Sequence, residues 1–259
     1  MYKIRNFMDN DDVKIINELG AFKVIEYQKD LSVMPHEAIA AYFCNKMNVK
    51  KRQVVCDVNK SDIVLQAGAM QFMVGDVRAT TGVKGVGDFF GKAIRSKVTG
   101  ESAIKPEYTG SGMLILEPTY KHIILLDVAE WGGGIVLDDG LFLACEASLE
   151  QKAVARSNVS SALAGGEGLF NLSVNGSGVL CLESRCPREE LIEITLQNDQ
   201  IKIDGNMAIA WTKGLEFTVE RSGKTLIGSA ASGEGLVNVY RGTGRILLAP
   251  VDKTSPYNQ

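Results

Sequence analysis

Apolar and polar residues alternate along much of this chain with the period of a β-strand. Phe170, Leu172 and Val174 flank Asn171 and Ser173, while Ile192, Ile194 and Leu196 flank Glu193 and Thr195. Val237 and Val239 stand either side of Asn238 in the same phase. Period-two patterning of this kind sends one face into a core and leaves the other in water, as in antiparallel sheets. Helical spacing is confined to short stretches. Residues 35–47 open with a proline at a first-turn position and space Ile39, Phe43 and Met47 four apart, which predicts a helix. Residues 88–98 set Phe90, Ile94 and Val98 on one stripe behind an Asp88 cap, and 158–163 read as a shorter helical turn. The polar tail 252–259 is expected to fray.

The strand pattern is itself repeated. Gly110-Ser111-Gly112 followed by Met113-Leu114-Ile115-Leu116 returns as Gly176-Ser177-Gly178 followed by Val179-Leu180-Cys181-Leu182. It returns again as Gly242-Thr243-Gly244 followed by Arg245-Ile246-Leu247-Leu248, each copy 66 residues after the last. Ile135-Val136-Leu137-Asp138 aligns with Ile201-Lys202-Ile203-Asp204 at the same 66-residue spacing. Gly68-Ala69-Met70 aligns with Gly140-Leu141-Phe142 at an offset of 72, so the first copy carries about six extra residues in its 85–99 connector. Asn175-Gly176, Asp139-Gly140 and Asp204-Gly205 are read as hairpin turns, since such dipeptides supply positive φ angles. One hairpin set cannot bury its own apolar face, so three are expected to pack around a common axis. The boundaries fall at about 1–118, 119–184 and 185–251, within one domain.

The Gly-Ala-Met at 68–70, the Gly-Glu-Gly-Leu-Phe at 166–170 and the three Gly-x-Gly strands resemble the mitochondrial-biogenesis family. That family is named for the yeast altered-inheritance-of-mitochondria protein and is widespread in bacteria as a domain of unknown function. The resemblance covers roughly residues 60–251. It implies an all-β fold similar to the tryptophan RNA-binding attenuation protein: three units of double-stranded β-helix type around a pseudo-threefold axis, with short helical insertions. It also implies homo-oligomers and no catalytic residues; exposed strand edges in the outer repeats make a trimer or another closed ring the expected form. The 35–47 helix and the basic run behind it look like additions to the common core.

Composition changes this picture little. The chain has 259 residues, 45% hydrophobic and 23% charged, which excludes wholesale disorder. Its net charge of −3 supplies no cationic field toward nucleic acid or anionic lipid. Glycine is the departure, with 27 against only six prolines. Residues 1–7 lack the apolar stretch of a secretory signal, and the aliphatic run 123–126 is far too short to cross a bilayer. The five cysteines form no Cys-x-x-Cys pair, so reduced thiols and a cytoplasmic setting are expected.

Candidate chemistry is sparse. The Gly-x-Gly copies lead into strands rather than helices, so they are read as backbone geometry and not as phosphate cradles. Glu101, Glu167 and Glu234 share one repeat position and would gather around an axis if the repeats were symmetric. A turn carboxylate bonded to nearby backbone or a cation is the favoured reading, a hard-cation site the lesser one. His36 and His122 have no neighbours at metal-site spacing, and surface or capping roles are expected. Lys46, Lys50, Lys51 and Arg52, just after Tyr42 and Phe43, form the densest basic cluster. A solvated face is favoured there over a nucleic-acid strand. The sequence therefore points to a non-enzymatic binding or assembly module with no cofactor and no metal, catalytic or cofactor-binding residues. Neither DNA, RNA nor a membrane is the expected partner. Two alternatives stay open: a small-ligand or hydrolytic site in a cleft at a repeat junction, and RNA binding through residues 42–52.

Overall fold

The computed structural model describes residues 2–81, 105–155, 170–221 and 236–250. Glu101, Glu167 and Glu234, the helical stretches expected at 88–98 and 158–163, and the tail 252–259 all lie outside the described residues.

The first third of the chain contributes β1 (Val13–Leu19), β2 (Phe22–Tyr27), α1 (Ala38–Lys46), β3 (Arg52–Asp57), β4 (Ile63–Leu65), β5 (Met70–Thr80) and β6 (Glu107–Leu116). The middle contributes β7 (His122–Asp127), β8 (Gly134–Leu137), β9 (Phe142–Glu146), β10 (Glu150–Ala155), β11 (Phe170–Asn175) and β12 (Val179–Ser184). The last third contributes β13 (Ile192–Asp204), β14 (Ala208–Thr212), β15 (Glu216–Arg221) and β16 (Leu236–Leu248). The protein is thus all-β, and among the described residues α1 is its one α-helix.

Every strand pairing among the described residues is antiparallel. Nine strands form a sheet in the order β1-β2-β3-β6-β4-β9-β12-β7, with β5 paired to β6 off that path. Seven form a second sheet in the order β10-β11-β8-β14-β16-β13, with β15 on β16. The first curls into a nearly closed barrel and the second into a half-barrel. The middle third belongs to both, because β7, β9 and β12 lie in one sheet and β8, β10 and β11 in the other.

The 66-residue spacing has a backbone counterpart. Gly110, Gly176 and Gly242 have φ of 119°, 119° and 120°. A residue with a Cβ rarely enters that region. At Gly110 a Cβ would also lie 2.1 Å from the carbonyl oxygen of Asp76 on the paired strand. Hydrogen bonds recur with the same offsets: Glu117 N–H donates to Ala69 O at 2.8 Å, Glu183 to Leu141 at 2.8 Å and Ala249 to Met207 at 2.7 Å. Each bond sits beside a β-bulge, at Met70/Phe72, Cys181/Leu182 and Ala208/Ala210. One expectation needs correction. Asn175-Gly176 is not a hairpin turn, because β11 and β12 never pair with each other; the strand bends at Gly176 and passes from one sheet to the other. In β6 and β16 the same Gly-x-Gly stays inside one continuous strand. Gly140 and Gly205, with φ of 75° and 64°, do sit in turns.

Among the described residues four apolar clusters fill the sheets, the smallest made of Val13, Ile25 and Val55. Phe22, Val54, Cys56, Ile63, Leu65 and Leu114 pack inside the barrel. Leu126, Trp131, Leu137, Phe142, Leu180 and Leu247 join the middle third to the last. Trp211, Phe217 and Tyr240 stack among themselves in the third cluster, with centroids 5.1–5.7 Å apart. Burying a large apolar side chain contributes about 1.5–3 kcal/mol.

Successive thirds are joined by the same pairing. Leu65 opposes Ala144 and Ile63 opposes Glu146 in β4·β9, while Leu137 opposes Ala210 and Ile135 opposes Thr212 in β8·β14. Each joint carries one further bond, from Gln66 N–H to Leu143 O at 2.8 Å and from Asp138 N–H to Ile209 O at 2.9 Å. The same offsets match residues 201–203 of β13 to residues 72–74 of β5. Within the chain these two strands do not pair: among the described residues β13 pairs only with β16 and β5 only with β6. Each therefore keeps one open ladder edge, as do β1, β7, β10 and β15, which also have a single partner among the described residues.

Candidate functional site

The basic segment after α1 folds into an ion-pair knot. Arg52 begins β3 and pairs across the ladder with Glu26 of β2. Its side chain is 2% exposed, the guanidinium 2.9 Å from the Glu26 carboxylate. The Arg52 guanidinium also donates to Asn48 Oδ1 at 2.6 Å, to Asn48 O at 3.0 Å and to Lys50 O at 3.3 Å. Lys50 Nζ lies 3.1 Å from Glu26, and Lys51 Nζ 2.6 Å from Asp30. Burial pushes the Glu26 carboxyl upward, but hydrogen bonds from Gln28 and Lys50 and the charge of Arg52 outweigh it, so its pKa falls. The Lys51 ammonium and the Ser32 bonds bring Asp30 down to about 2. All three cations of the run are therefore already matched by carboxylates. The sequence reading took them for a solvated face. The missed signal is Glu26, a lone acid inside Phe22–Tyr27, an otherwise apolar strand with one lysine. A charge in that setting calls for a buried partner.

The two histidines sit at the starts of different elements. His36 is exposed in the turn before α1. His122 opens β7, and burial together with the charge of Arg52 lowers its pKa, against an opposing pull from Glu190, Glu189 and Glu26. The imidazole is therefore neutral at neutral pH. Four of the five thiols are raised in pKa. Burial raises Cys56 and Cys181, and holds Cys145 at about 12. Cys186 is raised by burial and by Glu190. Activated nucleophilic cysteines need the opposite environment. Among the described residues no group of three His, Cys, Asp or Glu side chains is placed to hold a metal ion.

A cleft of about 390 Å³ opens where the middle and last thirds meet, lined by Lys121, Glu183, Arg185, Cys186, Ile209 and Pro250 among others. Its floor is apolar and its rim carries charges of both signs, including the Lys121–Glu183 pair at 2.7 Å. Neither histidine lines it. Within it the Cys186 thiol donates to Glu190 Oε2 at 3.8 Å, and burial together with that carboxylate raises the thiol's pKa. Among the described residues no helix is long and apolar enough to cross a membrane.

Fold and side chains together define an all-β protein of two antiparallel sheets. The sequence model of the family described as Mitochondrial biogenesis AIM24 matches residues 47–251, and the chain belongs to that family. The match begins directly after α1. An uncharacterized protein of Streptococcus pyogenes serotype M6 is 32% identical over 194 residues, covering 72% of this chain and 75% of its own. A crystal structure of a Streptococcus pyogenes protein, solved as a structural-genomics target, superposes with a TM-score of 0.58 at 28% identity. It covers 80% of this chain and 90% of that one.

Proposed function

We propose that this protein is a non-enzymatic assembly module whose three repeats continue head to tail into the next copy, closing as a trimer or another ring. The observation that carries the reading is that β5 and β13, each with an open ladder edge, stand at the offsets that join successive thirds in β4·β9 and β8·β14. Exposed edges attract further strands and are normally covered. Here the joint used between successive thirds has the geometry of a repeating unit, and heterologous joints that close make rings. In this reading Ile203 of one copy opposes Phe72 of the next, Lys202 opposes Met73, and Asp204 N–H donates to Gln71 O. The three thirds are then units of double-stranded β-helix type around a pseudo-threefold axis, similar to the tryptophan RNA-binding attenuation protein. A cytoplasmic setting accords with the free thiols.

The test is a cysteine at each exposed edge, Met73→Cys with Lys202→Cys in one chain that also carries Cys44→Ser to remove the exposed native thiol. Mild oxidation is expected to give a ladder of disulfide-linked copies ending at the closed number, and none from either single variant. Absence of linked copies overturns the reading. The cleft supports a second reading, retention of a small polar ligand, and native mass spectrometry of the purified protein would show such a molecule as added mass. RNA contact through 42–52 is the weaker alternative, because Lys50, Lys51 and Arg52 are engaged with acids.

A further inference from the structure

Helix α1 is built the wrong way round for a helix that serves its own domain. It buries none of its residues, and only Ala41 and Asn45 are even partly covered. Asn45 Nδ2 donates to Gln28 O at 2.7 Å, and Asn48, in a left-handed conformation at φ 63°, receives the Arg52 guanidinium. Polar contacts therefore fasten the helix to the barrel while its apolar side chains face away. Ile39, Tyr42, Phe43 and Met47 are 59–76% exposed, at the three- and four-residue steps of a single stripe. Leu31 and Met34, in the segment leading into the helix, are 81% and 55% exposed.

We propose that this face docks against the same face of a second copy of the chain, as an isologous antiparallel helix pair. Size is the first argument. These six side chains are about two-thirds exposed; at roughly 150–200 Å² each they present on the order of 700 Å² of apolar surface. That exceeds the ~300–600 Å² of the largest patch on an ordinary monomer. It approaches the ~800 Å² that each partner contributes to a standard interface. Pattern is the second. Steps of three and four are those of a helix–helix seam, and a stripe centred on Tyr42 and Phe43 is self-complementary about a twofold axis there. Charge is the third. Glu37 stands at the N-terminal end and Lys46 in the last turn, and among the described residues neither has an ion-pair partner. Antiparallel docking brings the Glu37 end of one helix beside the Lys46 end of the other and opposes the two macrodipoles. Lys46 sits over the Tyr42 ring at 5.3 Å, which leaves its ammonium at the border of the stripe. The contact uses neither the β5 edge nor the β13 edge, so it is independent of ring closure.

The experiment is the solution mass of the full chain with Phe43→Glu, with Phe43→Lys, and with the two mixed. Each residue is exposed, so thermal melting of both variants should match the parent and shows that they fold. The expected result is a twofold lower mass for either variant, a dissociation constant raised at least about thirtyfold, and recovery of the parental mass on mixing. A mass untouched by either substitution overturns the proposal, as does failure of the mixture to reassociate. Loss of co-sedimentation with anionic phospholipid vesicles at unchanged mass would also overturn it, assigning the face to a lipid surface. Because ring closure is read from the Met73–Lys202 disulfide ladder, either contact can fail while the other stands.

Discussion

Glu26 and Arg52 are direct partners across the β2·β3 ladder, and their side chains meet in a buried ion pair at 2.9 Å. The pair joins three parts of the molecule. Arg52 carries the end of α1 through Asn48, and its backbone exchanges hydrogen bonds with Thr119 at 2.7 and 2.8 Å, which ties β3 to the entry of the middle third. Removing Arg52 leaves the buried Glu26 with Lys50 as its one ion-pair partner among the described residues and takes away the donor to Asn48 and to Lys50 O. Arg52→Leu is expected to destabilise the fold by about 3–5 kcal/mol in urea unfolding. Glu26→Gln should cost less, since glutamine still accepts hydrogen bonds.

Acid should weaken the protein through the same segment. Glu26 and Asp30 both have folded pKa values below those of an unfolded carboxylate, Asp30 at about 2. Such groups contribute stability that is present above the unfolded value, near pH 4, and is lost as the pH falls through the folded one. The melting temperature is therefore expected to drop between about pH 4 and about 2. A Glu26→Gln, Asp30→Asn double variant should show a flatter acid limb and lower stability at pH 7.

The glycines divide into two kinds. Gly110 combines φ 119° with a backbone oxygen 2.1 Å from any added Cβ, whereas Gly68 combines φ 84° with open space. Gly110→Ala is expected to cost about 3 kcal/mol or more, and Gly68→Ala about 1 kcal/mol, the conformational strain alone. Equal losses in chemical denaturation would contradict the close-approach role.

Thiol titration with a disulfide reagent at pH 8 should find one fast-reacting group, Cys44, which is exposed. Cys186 should follow more slowly, held back by burial and Glu190. Cys56, Cys145 and Cys181 should react only on unfolding.

The strand content, the 66-residue register and the location of α1 were legible because they rest on local periodicity and spacing. The Gly-x-Gly bends were legible as backbone geometry, but not the change of sheet at Gly176. Whether a strand turns back or travels on depends on which neighbour takes its hydrogen bonds, and those neighbours lie far away in sequence. The direction of the α1 stripe was illegible for a related reason. Spacing at Ile39, Phe43 and Met47 shows that a face exists, while only the anchoring of Asn45 and Asn48 decides which way it looks. Arg52 looked like a surface cation because its partner is 26 residues away in another strand. The cleft between the last two thirds left no motif at all, since Glu183, Cys186, Ile209 and Pro250 meet only through the β9·β12 and β14·β16 pairings.

The central claim is that the ladder left open at β5 and β13 is completed by another copy. Sedimentation equilibrium of the unmodified full chain tests it most directly. A discrete closed species of three or more copies, unchanged over a hundredfold range of concentration, is the result expected. A single species of one chain's mass, 28.0 kDa, across that range would contradict it.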